Sequence, residues 1–249
     1  MLGETRVIVA DAPGTTRDSV DTFFDNEYGS FTFIDTAGIR RKSKVEEAIE
    51  KYSVLRALMA IDRADVCVIM LDAVEGVSEQ DTKIAGYAHE KGKPCVLAVN
   101  KWDAVEKETK TMEETRQKVA ASFSYMSYAP IVFISAKTGA RLSTLFEKIV
   151  VSAESAKKRV STGVLNDVLN DATARVQPPT DRGRRLKIYY MTQVSVCPPT
   201  FLLFCNDAEL FHYSYLRYIE NRLRDAFGFE GTPLKLIVRE KGDKDEMLR

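Results

Sequence analysis

Residues 94–103 read PCVLAVNKWD, an apolar run that passes at once into the polar tetrapeptide Asn100-Lys101-Trp102-Asp103. An uninterrupted apolar run of that length is the pattern of a strand buried on both faces, as in a parallel sheet. Where such a strand ends in an open α/β sheet, the side chains that follow face the crevice in which these folds bind ligands. Asp103 there can accept hydrogen bonds from both the N1–H and the exocyclic amine of guanine, a donor pair that adenine lacks. Asn100 is placed to tie neighbouring loops together, and the Lys101 stem to lie against the plane of the base. Taken alone, the tetrapeptide fits an ordinary Asn/Asp turn after a strand equally well. The stretches on either side decide between the two.

The chain around it has 249 residues, 45% of them hydrophobic, enough for one large domain or two smaller ones with real cores. Lys+Arg and Asp+Glu number 36 each, so no global field favours nucleic acid or a membrane, and any basic patch is local. Cys67, Cys95, Cys197 and Cys205 lie in apolar strand-like runs without CxxC spacing. That usage suits reduced core thiols in a cytosolic protein better than a disulfide or metal framework. No apolar stretch reaches transmembrane length and MLGETRVIVADAPG lacks the pattern of a signal peptide, so a soluble, cytoplasmic protein is expected.

Residues 20–26 and 30–34 are strand-like and meet at Tyr28-Gly29, as in a hairpin. At their end stands Asp35-Thr36-Ala37-Gly38. Its carboxylate is suited to holding magnesium through water, and a terminal phosphate can approach the Gly38 N–H with no side chain in the way. A simple D-x-x-G turn has the same composition. Pro13-Gly14-Thr15-Thr16-Arg17-Asp18 upstream offers hydroxyls that are hard ligands for Mg²⁺, with a plain loop as the competing view. Arg40-Arg41-Lys42-Ser43-Lys44 reads as a solvated loop. A helix from Glu46, a strand at 66–71, a helix at 80–91 and the strand at 94–99 then give βαβ alternation. A helix through Val119, Phe123 and Met126 and a strand at 131–134 lead to Ser135-Ala136-Lys137, whose backbone N–H groups can reach a guanine carbonyl. Leu142, Leu145, Phe146 and Ile149 make a closing helix.

Between residues 153 and 162 the alternation stops, which divides the chain into residues 1–155, a second domain at 161–240 and a charged tail at 241–249. The second domain reads α-β-β-α-β, with Leu186, Ile188, Tyr190, Thr192 and Val194 alternating with Lys187, Tyr189, Met191 and Gln193 in a half-buried strand. His89 and His212 are too far apart in sequence to suggest a metal pair and are expected at solvated helix positions.

In order, PGTTRD, DTAG, NKWD and SAK resemble the second to fifth guanine-nucleotide motifs of P-loop GTPases. EKYSVLRALMAIDRADV, QDTKIAGYAHEKGK, LKIYYMTQVSVCPPTFLLFCND and NRLRDAFGFEGTP further resemble the EngA (Der) GTPases of bacterial ribosome assembly, in which two GTPase domains precede a KH-like domain. The resemblance implies the second GTPase domain and the KH-like domain. It implies GTP/GDP with Mg²⁺, Thr16 and Asp35 at the metal, and Thr16 and Gly38 in catalysis with Gly38 at the terminal phosphate. Asn100, Lys101, Asp103, Ser135, Ala136 and Lys137 would sit around guanine. Ile39 stands where many GTPases have a water-positioning glutamine, so the chemistry implied is the potassium-assisted type, with K⁺ as a second cation. The implied partners are the large ribosomal subunit and its rRNA, with neither membrane nor DNA. Arg182, Arg184, Arg185 and Lys187 are the candidate RNA contacts. Gly228-Phe229-Glu230-Gly231 spells the GXXG with which KH domains clamp RNA. Such a loop joins two helices, whereas this one precedes a strand, so clamping is not expected of it.

One departure matters. No G-x-x-x-x-G-K-[ST] occurs in the sequence, and MLGETRVIV resembles the family's sequence just downstream of that loop. The fold class expected is therefore α/β, a P-loop GTPase-type open sheet lacking its first strand, followed by a small α+β KH-like domain. Two sheet edges would face a gap. Losing three or more charge-assisted hydrogen bonds at about 1.5–3 kcal/mol each would weaken nucleotide binding on the order of 10³-fold or more. The alternative function is then a non-catalytic module that binds RNA or the ribosome.

Overall fold

The computed structural model describes residues 21–34, 47–106, 110–181 and 183–241, with the backbone alone at 47–53 and 181. Strands β1 (Asp21–Asn26) and β2 (Gly29–Ile34) pair antiparallel as a hairpin, and Gly29 adopts φ +131°, which favours glycine. Helix α1 (Glu47–Arg63), β3 (Cys67–Asp72), α2 (Glu79–Glu90), β4 (Cys95–Asn100), α3 (Thr111–Ser122), β5 (Ile131–Phe133) and α4 (Leu142–Lys157) follow. The sheet order is β3-β4-β5, all parallel.

The apolar run becomes the central strand because both of its faces are covered. Cys95, Leu97 and Val99 pack with Ala85 and Ala88 of α2 and Val119 of α3, while Val96 and Ala98 pack with Leu145, Phe146 and Ile149 of α4. All five apolar side chains of β4 from Cys95 to Val99 are at most 1% exposed. The hairpin is a separate sheet, and no described strand pairs with the outer edge of β3. The hairpin is held against α4 by rings, with Phe31 and Phe24 at 5.3 and 5.6 Å from Phe146, and to α1 by the Arg63–Asp21 ion pair.

Beyond Lys157 the second unit forms α5 (Thr162–Arg175), a small hairpin of β6 (Thr180–Asp181) and β7 (Arg184–Arg185), β8 (Ile188–Ser195), β9 (Thr200–Cys205), α6 (Tyr213–Phe227) and β10 (Lys235–Glu240). The order is β10-β9-β8, with β9 parallel to β10 and antiparallel to β8. Leu165 and Leu169 of α5 and Ile219 and Leu223 of α6 meet Met191, Phe201 and Leu203 in its core. The α-β-β-α-β order holds, with the β6–β7 hairpin as an addition.

The alternation expected along β8 does not hold. A bulge between Ile188 and Tyr190 adds one residue to the strand, and a one-residue slip exchanges the two faces. Met191 and Gln193 are therefore buried, while Tyr190 and Val194 are exposed. Gln193 is satisfied by the linker, accepting from the Val160 N–H at 2.8 Å and donating to the Lys158 carbonyl at 2.9 Å.

The two units are joined by the Gly228-Phe229-Glu230-Gly231 loop. Gly231 accepts from the Cys95 N–H at 2.7 Å and donates to the Tyr128 carbonyl at 2.9 Å, so it caps the first residue of β4. Glu230 pairs with Lys148 at 2.7 Å, and Arg224 donates to the Phe229 and Thr232 carbonyls at 3.0 Å each. Cys197, expected in a core, is exposed in the β8–β9 turn, and its N–H donates to the Ala156 carbonyl at 3.0 Å.

His89 also belongs to this junction rather than to a solvated helix face. Its Nδ1 lies 3.0 Å from the Tyr128 hydroxyl and its ring packs edge-on to Tyr125. Burial depresses its pKa below the ordinary 6.5, helped by Arg224 and opposed by Glu220 and Glu90. The unfolded chain therefore takes up the proton first. Stability from the neutral imidazole is full above about pH 6.5 and declines as pH falls below it. A thermal midpoint that falls between pH 7.5 and 5.5, with a flatter profile in His89→Gln, is the expected result of a melting series. The same profile in both chains would contradict it.

Candidate functional site

The carboxyl ends of β3, β4 and β5 form one rim. Asp72 and Asn100 are register partners there, and the Asn100 carbonyl accepts from the Ala73 N–H at 2.9 Å. After β4 the chain turns through Lys101, which adopts a left-handed conformation at φ +60°. That turn sends Trp102 into the core, 6% exposed, with its ring 4.6 Å from Phe133. The buried Trp102 fixes the loop, and Lys101 and Asp103 stay exposed on either side of it.

Asn100 links two loops. Its Oδ1 accepts from the Ala136 N–H at 2.9 Å, and the Trp102 N–H donates to the Ile134 carbonyl at 3.1 Å. Ser135, 2% exposed, is the post beneath the second loop. Its Oγ accepts from the Thr138 N–H at 3.1 Å and its N–H donates to the Ala140 carbonyl at 3.1 Å. The structure thus brings Asn100, Lys101, Asp103, Ser135, Ala136 and Lys137 to one place, with Ala136 and Lys137 exposed at the rim.

A residue that the sequence reading did not single out completes the group. Asp72 Oδ2 lies 2.6 Å from Lys101 Nζ, while Oδ1 accepts from the Val74 and Glu75 N–H groups at 2.8 and 3.2 Å. Partial burial works to raise its pKa. The Lys101 ammonium and the two backbone donors outweigh that, and the carboxyl titrates below the ordinary aspartate value. Asp72 therefore stays ionised and holds the Lys101 stem in place. A carboxylate as the last residue of a strand, one strand over from Asn100, was the available signal. A cleft of about 320 Å³ lined by Leu71, Asp72, Val99, Thr115 and Lys118 opens beside it.

Thr16, Asp35, Gly38 and Arg182 lie outside the described residues, as do Thr15, Ile39 and the basic run at 40–44. Among the described residues no group of three or more His, Cys, Asp or Glu is arranged to hold a metal ion. Arg184, Arg185 and Lys187 are exposed just before β8, at the end of the sheet away from Gly231. Arg184 pairs with Asp207 at 2.8 Å, Arg185 donates to Gln177 at 3.1 Å, and the Lys187 backbone N–H donates to Asn206 at 2.7 Å.

Residues 1–101 match the family model described as 50S ribosome-binding GTPase, and residues 159–239 match that of the KH-domain-like C-terminal domain of EngA bacterial GTPase enzymes. A protein named GTPase Der from Acetivibrio thermocellus is 64% identical over 241 residues, which are 97% of this chain and 55% of that relative. The GTPase Der of Ruminiclostridium cellulolyticum is 58% identical with the same coverage. The chain spans about half the length of the curated relatives it matches. The crystal structure of Aquifex aeolicus Era bound to GDP and AlF4⁻ is 20% identical with a TM-score of 0.52, covering 97% of this chain and 87% of that one, a likeness of fold alone.

Proposed function

The chain belongs to the EngA (Der) family of GTPases, and from that premise we propose that its Asn100–Asp103 and Ser135–Lys137 loops read guanine in a GTP/GDP-dependent factor for large-subunit ribosome assembly. The observation that carries this reading is the hydrogen bond from the Ala136 N–H to Asn100, which sets the two loops around one space. Asp103 supplies the two acceptors that match guanine, Lys101 held by Asp72 covers the base, and the Ser135–Lys137 loop presents backbone donors toward its carbonyl. Magnesium falls to Thr16 and Asp35 and the terminal phosphate to Gly38, while one ligand for potassium would come from the G-x-x-x-x-G-K-[ST] loop, which these 249 residues do not contain. Thr16 and Gly38 then serve hydrolysis. Arg184, Arg185 and Lys187, with Arg182, are the RNA contacts, and residues 1–155 and 161–240 are the two working domains. The cytoplasm is the compartment proposed; among the described residues no helix is long and apolar enough to cross a membrane.

Asp103 provides the test. In a polypeptide extended by a strand and a phosphate-binding loop ahead of Met1, Asp103→Asn replaces one acceptor by a donor. GDP binding is expected to weaken on the order of 10²-fold, the worth of one charge-assisted hydrogen bond and one new donor–donor clash. Titration calorimetry with GDP and ADP on both versions measures it, and an unchanged preference for GDP would remove Asp103 from the base site.

A further inference from the structure

The face of the β10-β9-β8 sheet turned away from α5 and α6 carries side chains that the core of the unit does not use. Tyr190, Phe204 and Arg239 are register partners side by side across the three strands. The Tyr190 and Phe204 rings stack at 4.4 Å and 15°, and Tyr190 is 41% exposed. Thr192, Leu202 and Ile237 form the next row, each half-buried. Tyr189, displaced by the bulge, is 47% exposed beneath Lys241, whose Nζ is 5.2 Å from the ring centre. The only acid in the three strands is Glu240, and it turns inward to accept the Ala208 N–H at 2.9 Å.

Exposed rings flanked by Arg239 and Lys241, with no carboxylate among them, suit a ligand with flat apolar faces and an anionic backbone. Single-stranded nucleic acid has that chemistry, whereas an acidic peptide offers no such faces and duplex RNA keeps its bases stacked inside. The row lies at the end of the sheet away from Gly231 and Pro198, where the first unit docks, and next to Arg184, Arg185 and Lys187. We propose that this sheet face is a stacking platform for single-stranded RNA. Bases continue the Tyr190–Phe204 stack and extend over Tyr189, and phosphates lie on Arg239, Lys241 and the neighbouring arginines. The inference rests on the RNA-binding role proposed above and adds a surface to it.

Fluorescence anisotropy of the full chain with a labelled uridine oligonucleotide of about 12 nucleotides, against a duplex of equal length, tests it. Single strands are expected to bind at least about tenfold more tightly than duplex. Tyr190→Ala with Phe204→Ala should weaken the single strand by roughly tenfold or more, and Tyr190→Phe should retain it. Photocrosslinking of a 4-thiouridine oligonucleotide to the unaltered chain, with peptides mapped to Tyr190 or Phe204, gives the same answer without relying on how the double variant folds. Loss of binding in Arg184→Ala with Arg185→Ala, but no change in the aromatic variant and no crosslink on these peptides, would overturn the platform and leave the RNA role standing. No RNA binding by the unaltered chain would overturn both. Self-association that the aromatic substitutions abolish and the oligonucleotide does not compete with would assign the face to a second copy, and so would also overturn it.

Discussion

Alanine at Gly231 is expected to destabilise the chain by about 3 kcal/mol or more and to loosen the second unit from the first. A Cβ on this residue would meet Ser152 Oγ at 1.8 Å, Cβ at 2.5 Å and Cα at 3.1 Å. The hydroxyl can rotate away, but the Cβ and Cα of a residue inside α4 cannot. Gly231 also has φ +74°, a conformation that costs a residue with a side chain about 1–2 kcal/mol. Overpacking adds about 1–3 kcal/mol. The loop cannot relax outward without releasing its bonds to Cys95 and Tyr128. Gly76 is the control, because its φ is +78° and a Cβ there meets nothing within 4 Å. Gly76→Ala should show the backbone cost alone. Denaturant melts of the two variants measure the difference, and equal losses would mean that the Gly231 contact is not tight.

That junction also bears on function. Gly231 caps the amino end of β4 while Asn100 stands at its carboxyl end, so one buried strand carries both the domain contact and the candidate base site. A change that frees the loop should be felt at the candidate base site through β4.

Much of this architecture was legible in the chain. The run at 94–99 announced a strand buried on both faces because nothing in it can face water, and the Tyr28-Gly29 pair announced the hairpin because its φ requirement is local. The rim of Asn100 and Ser135 followed from strand ends, which a two-residue pattern locates well. What stayed hidden depends on partners distant in sequence. The bulge at Tyr189 leaves no mark in a run that alternates acceptably in either register, so the sequence pattern does not locate the point at which the faces of β8 exchange. His89 looked solvated because its partners, Tyr128 and Arg224, come from a later loop and from the second unit. The GXXG spelling, from which no RNA clamp is expected, gives no hint of the contact its last glycine makes. Its use as the joint between the units rests on Cys95, more than 130 positions earlier.

The second large effect concerns the phosphates. The base selection proposed for Asp103 would give discrimination, but most nucleotide affinity in such sites comes from backbone N–H groups and a lysine around the phosphates, and this sequence contains no G-x-x-x-x-G-K-[ST]. A polypeptide of these 249 residues is therefore expected to bind GDP on the order of 10³-fold more weakly than one extended by a strand and phosphate-binding loop, and to show no GTP hydrolysis. The added strand should also pair with the edge of β3 that no described strand occupies and raise the melting temperature, since it would join the β3-β4-β5 sheet to the hairpin sheet.

Titration calorimetry with GDP on the 249-residue and the extended polypeptides, side by side in magnesium buffer, is the measurement to make. Tight binding by the extended chain and binding by the shorter one weaker on the order of 10³-fold is the predicted result, because the base-reading loops are then a working half-site that lacks only its phosphate cradle. Tight binding by the shorter chain would contradict it, since another segment of these residues would then have to hold the phosphates.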